Sequence, residues 1–156
     1  MARYQDIVAM ETLGAAKYLS KLTREMPEER LGWTPLGEGR SALHQVAECA
    51  VVADWVANVI ERRSTDFLPK DLFGELNKEA SSVQDVKEAV SRLIENTGRY
   101  VRLVKEFPDE ELDNVVPMWT GDQPMWRVLN WHYRNMMYHI GQINYIQTLY
   151  GDKEMR

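Results

Sequence analysis

The stretch HYRNMMYHIGQINYIQTLYGD, residues 132–152, decides how the chain folds. Extended back to Leu129, it carries Leu129, His132, Met136, His139, Ile143, Ile146 and Tyr150 at alternating steps of three and four. That spacing lines up one face of an α-helix and is the pattern of a packed bundle seam. Two of the chain's three histidines therefore occupy core-type positions. His132 and His139 are two turns apart, about 10.5 Å of rise, too far for two parallel imidazoles to clamp one ion. Asn135 lies about 40° from His139 around the helix at ~100° per residue, so it edges the same face. Polar groups on such a face cost free energy unless they are paired.

Working outward, three further long helices are expected. Residues 4–22 carry Ile7, Val8, Met10, Leu13, Ala16, Leu19 and Leu22, mostly three or four apart. The turn material MPEERLGWTPLGEGR ends that helix. Ser41 reads as the N-cap of a second helix running to about Arg63, followed by an irregular linker through Pro69 and Gly74. A third helix is expected from Ser81-Ser82 to Phe107-Pro108, with Gly98 inside it. DEELDNVVPMWTGDQPM is a long connection, of a kind that is often functional. The closing helix starts near Pro124, a first-turn position that suits proline, and stops at Tyr150-Gly151. No stretch alternates with period two and none repeats. Four apolar stripes of this length bury one another best as an all-α four-helix bundle, a single domain over residues 1–156.

The totals narrow the function classes. The chain has 156 residues, 44% hydrophobic and 28% charged, an ordinary globular balance. Its net charge of −5 is spread without a basic block, which argues against nucleic acid or an anionic membrane as partner. No apolar run is long enough for a membrane span, and MARYQDIVAM lacks a secretory core, so a cytoplasmic protein is expected. The single Cys49 forms no internal disulfide, in keeping with a reducing compartment.

The third histidine, His44, lies in SALHQVAECAVVADW on the second helix, one turn before Glu48. Val51, Trp55 and Asn58 continue that face. A His and a Glu at i and i+4 can share one metal or one hydrogen bond. The helix is apolar on its other side too, through Val46, Cys49, Ala50, Ala53, Val56, Ala57 and Ile60. A helix apolar nearly all round is either central or covered by a partner subunit, and a homodimer surface is expected here. Taken singly, each histidine reads as a hydrogen-bonded core residue and Cys49 as a small buried hydrophobe. The Met and Trp residues around 118–137 read as core and rim. No catalytic or cofactor-binding residue is assigned.

In order along the chain, LGWTPLGEGRSALHQVAECA, then ELDNVVPMWTGDQPMWRVLNWHYRNMMYHIGQINYIQTLYG, resemble the DinB/YfiT-like superfamily of metal-binding four-helix bundles. The first piece resembles the family's Trp-x-Pro turn and the helix bearing its first histidine ligand. The second resembles its closing segment, and HIGQI its His-x-Gly-Gln-Ile signature. The resemblance implies a divalent metal, zinc or nickel, held by one histidine on the second helix and a pair at i and i+4 on the last. Carried over, these positions are His44, Asn135 and His139; Glu48, outside that pattern, offers an additional donor through its i, i+4 spacing to His44. Asparagine at the middle position is a departure, since an amide oxygen is a poorer ligand than imidazole for such metals. His132 matches no ligand position.

Two functions follow from that resemblance. One is a metal-dependent enzyme, a hydrolase or a thiol-dependent transferase, in which the cation lowers the pKa of a bound thiol or water. The other is a non-catalytic bundle with a degenerate metal site, serving as a stress-associated or ligand-binding dimer. The sequence offers no nucleophile elbow, phosphate loop or CxxC motif as another centre.

Overall fold

Apolar positions three and four apart become four long helices in the computed structural model, which describes residues 2–154. They are α1 (Tyr4–Arg24), α3 (Ala42–Arg62), α5 (Val86–Glu106) and α7 (Trp131–Leu149). Shorter elements join them: α2 (Glu28–Leu31), α4 (Leu72–Ser82), a hairpin of β1 (Val115–Met118) and β2 (Gly121–Pro124), and α6 (Met125–Val128). The four long helices form the expected bundle. No helix among the described residues is long and apolar enough to cross a membrane.

Local chemistry fixes the ends. Ser41 caps α3 by accepting a hydrogen bond from the His44 backbone N–H. Asp85 caps α5 by accepting from Lys87 and Glu88. After α7, Gly151 takes φ +97, while Gly151 N–H bonds Thr148 C=O and Asp152 N–H bonds Gln147 C=O. This double closure requires a left-handed residue, which glycine adopts without a Cβ clash.

The helix order is not a simple meander. Asn96 donates to the Ala50 carbonyl, and Arg99 reaches Asp54 and Asn58. Both residue numbers rise together, so α3 and α5 run parallel. Thr97 pairs with His132 and Tyr100 with the Leu129 carbonyl, one number rising as the other falls, so α5 and α7 are antiparallel. Gln5 to Phe107 sets α1 antiparallel to α5 in the same way. Parallel α3 and α5 need a crossover connection, and α4 lies within it, packed on α3.

Two expectations are corrected here. The linker after Arg63 contains a helix, α4, and Ser81-Ser82 lies at that helix's end rather than at the start of the next. The long connection holds a two-stranded antiparallel hairpin pairing Val115 with Pro124 and Met118 with Gly121. Helix α3 is apolar all round because it is central: no residue from 42 to 60 is freely exposed, and α1, α4, α5 and α7 of the same chain pack on it.

The buried side chains fall into two groups along the bundle. One gathers Leu19, Leu22, Val46, Cys49, Leu93, Met136 and Ile143. The other gathers Val56, Ile60, Tyr100, Phe107, Val116, Met125 and Leu129, where the hairpin and α6 close the end. Cys49 is fully buried, and that burial pushes its thiol pKa well up, so it behaves as a packed apolar group.

Candidate functional site

His139 is fully buried on α7, between two acceptors from α3. Its Nδ1 lies 3.0 Å from Gln45 Oε1 and its Nε2 3.0 Å from Glu48 Oε1. Gln45 Nε2 donates to the Arg40 carbonyl at 3.1 Å, which fixes the amide with its oxygen toward the ring. An amide oxygen and a carboxylate oxygen only accept, so each ring nitrogen of His139 faces an acceptor. The second oxygen of Glu48 accepts from the Arg40 guanidinium at 2.5 Å. Glu48 is 8% exposed, whereas the Arg40 side chain is 39% exposed, so the network runs from the core to solvent. Burial raises the Glu48 pKa, but the hydrogen bond and charge of His139, then Arg40, outweigh it and hold the carboxyl below its usual range.

The other expected ligands lie around this network without joining it. His44 Nε2 pairs with Asn77 Oδ1 of α4 at 3.0 Å, and its Nδ1 is buried without a hydrogen-bond partner. Asn135 Oδ1 is likewise buried without one. Glu48 and His139 are thus brought together, while His44 turns to α4. Among the described residues no three His, Cys, Asp or Glu side chains are grouped so as to hold a metal ion. Both nitrogens of the His139 ring are already engaged by side chains of α3, and Glu48 already faces a guanidinium. The donor set as arranged therefore does not fit a divalent metal.

His132 lies apart from that network. It is fully buried, its Nε2 shares a 2.9 Å hydrogen bond with Thr97 Oγ1, and its ring packs edgewise on Tyr100. Desolvation lowers its pKa to about 3, so it is neutral. The Tyr100 hydroxyl donates to the Leu129 carbonyl and receives the His132 backbone N–H, tying the start of α7 to α5.

Gln45 and Arg40 were not singled out in the sequence. Gln45 carried a usable signal: it is a polar residue on the helix face that holds Ala42, Val46, Cys49 and Ala53, all buried. Arg40 carried none, because it lies in turn material whose direction no periodicity sets.

Several solved structures share this fold. YfiT from Bacillus subtilis, described as a probable metal-dependent hydrolase with an unusual four-helix bundle topology, superposes with a TM-score of 0.79 at 16% identity, covering 94% of this chain and 87% of its own. A mycothiol-dependent maleylpyruvate isomerase gives 0.71 at 14%, over 94% of this chain and 68% of its own. The DinB-like protein YjoA from Bacillus subtilis gives 0.70 at 17%, over 96% and 95%. Among curated proteins no sequence match is found. The sequence pattern of the DinB superfamily matches residues 12–143, spanning the bundle from α1 into α7, and the chain belongs to that superfamily.

Proposed function

We propose that this chain is a non-catalytic, ligand-binding DinB-like bundle in which an ionic hydrogen-bond network replaces the metal centre. One observation carries the reading: His139 stands between two acceptors, Gln45 and Glu48, which engage both of its ring nitrogens. The Arg40 guanidinium supplies the positive charge beside Glu48 that a cation would otherwise supply. The asparagine at position 135 agrees with it, since the i, i+4 imidazole pair is missing.

A second reading draws on two orphaned atoms. His44 Nδ1 and Asn135 Oδ1 are buried without protein partners, and both belong to the expected ligand set. A divalent-metal-dependent enzyme, with a thiol or other small molecule as substrate, would use them together with His139. The solved relatives described as a probable metal-dependent hydrolase and a mycothiol-dependent isomerase lend it support.

Calorimetric titration with Zn²⁺ and Ni²⁺ separates the two. The network reading expects no equimolar binding at micromolar concentration and no change in melting temperature with metal, because a ligand selective for the native state would raise it. One tightly bound equivalent, lost in both His44→Ala and His139→Ala, would establish the metal-dependent reading instead.

A further inference from the structure

A groove of about 500 Å³ runs between α1 and α5, away from the Arg40–Glu48–His139 network. Its size falls within the ~300–1,000 Å³ usual for small-molecule sites. Leu13, Ala16 and Ile94 line it with carbon. Its two hydroxyl residues add little polarity, because Ser20 Oγ donates to the Ala16 carbonyl and Thr97 Oγ1 pairs with His132. The rim has a different character. Lys17, Lys21 and Arg24 border the groove at steps of four and three along α1, and Glu25 is the one carboxylate in the lining. Lys21 meets Glu25 only at 3.8 Å. Among the described residues, Lys17 and Arg24 have no ion-pair or side-chain hydrogen-bond partner. Leu13 is 37% exposed and Ile94 50% exposed, so the apolar wall is open to solvent.

An apolar trough edged by unpaired cations is unusual on a chain of net charge −5, and the two features together select a ligand. An alkyl tail covers the carbon wall, while a carboxylate answers the cations along its rim. We infer that this groove binds a free single-tailed carboxylate, a monomeric fatty-acid-like amphiphile. The inference gives the ligand-binding reading above a ligand class, yet it stands on other residues, so the metal titration and the experiment below fail independently.

The test is calorimetric titration of the full chain with monomeric decanoate, decyltrimethylammonium and phosphatidylglycerol vesicles. The expected result is one decanoate per chain, binding at least tenfold weaker for the ammonium, and no preference for vesicles. Lys17→Glu/Arg24→Glu should weaken decanoate at least tenfold, and Ile94→Asp should do the same by wetting the wall. Lys17 and Arg24 are exposed and Ile94 is half-exposed, so the variants should stay folded, which their melting curves check. If the double reversal does not fold, Lys17→Ala/Arg24→Ala is read in its place. No decanoate binding, equal binding of both amphiphiles, or variants that bind as wild type overturn the proposal. Binding to vesicles in preference to free decanoate overturns it as well, in favour of a membrane surface.

Discussion

Gln45 Oε1 faces His139 Nδ1 at 3.0 Å, while the same amide's nitrogen is anchored on the Arg40 carbonyl. One side chain thus sets both the orientation and the proton of a fully buried ring. Nitrogen-detected NMR of the histidine rings should show a proton on the Nδ1 of His139, hydrogen-bonded to the amide. In Gln45→Leu the Nδ1 proton has no acceptor, and the variant should lose about 1–3 kcal/mol, the usual cost of an unsatisfied buried donor. A bare Nδ1 in the wild-type protein would show that the amide does not control the ring.

Glu48 joins two partners of different exposure, the buried His139 and the half-exposed Arg40. Removing it leaves the buried His139 Nε2 without its partner, and an unsatisfied buried polar group costs about 1–3 kcal/mol. Glu48→Ala should fall in that range by urea denaturation. Arg40→Ala, at a side chain 39% exposed, should cost less, within about 1 kcal/mol. Equal losses for the two variants would mean that the outer ion pair, not the inner one, organises the network.

His132 predicts how stability depends on pH. Its folded pKa is lowered to about 3 by burial, against about 6.5 in the unfolded chain. Below pH 6.5 the unfolded state takes up a proton that the native state refuses. Stability therefore falls as pH drops from about 6.5 toward 3, at up to about 1.4 kcal/mol per pH unit from this residue. His132→Gln should lower stability at neutral pH and flatten the slope. The slope, read from urea midpoints between pH 4 and 7, is the test; an unchanged slope assigns the acid sensitivity to other groups.

Asp85 accepts from two backbone N–H groups at the start of α5, a role that the sequence reading gave to Ser81-Ser82. Asp85→Ala should cost about 0.5–2 kcal/mol, the usual worth of an N-cap, and Ser82→Ala much less. The reverse order in thermal melts would place the true helix start where the sequence suggested.

The four bundle helices were legible because each repeats apolar residues at steps of three and four, and the seam from Leu129 to Ile146 is buried as written. α4 was hidden because LFGELNKEASS contains a glycine and buries only Ala80. The hairpin was hidden because VVPM and GDQP do not alternate and include two prolines. Spacing also reports a face, not a neighbour. His44 and His139 both sit where a core face would put them, yet His44 pairs with Asn77, on the helix that the sequence concealed. The parallel α3–α5 arrangement was out of reach for the same reason, since it depends on where the crossover carries the chain.

Asn135 gives the sharpest test of the network reading. Asn135→His would place a second imidazole one turn before His139, with Cβ atoms about 5–6 Å apart, close enough for both rings to meet one ion. That change alone does not free His139 from Gln45 and Glu48, nor Glu48 from Arg40. The single variant should therefore bind Zn²⁺ or Ni²⁺ only modestly better than wild type. Adding Arg40→Ala removes the competing cation and leaves Glu48 charged, so the double variant should bind at least tenfold more tightly than the single one. Competitive titration against a chromophoric chelator measures both steps, and a matching rise in melting temperature with metal would place the ion on the folded state. If Asn135→His alone reaches full affinity, the missing imidazole was the whole defect and the Arg40–Glu48 pair is a bystander. If the double variant gains nothing, His139 does not leave its α3 partners, and the network has closed the site more firmly than a missing ligand would.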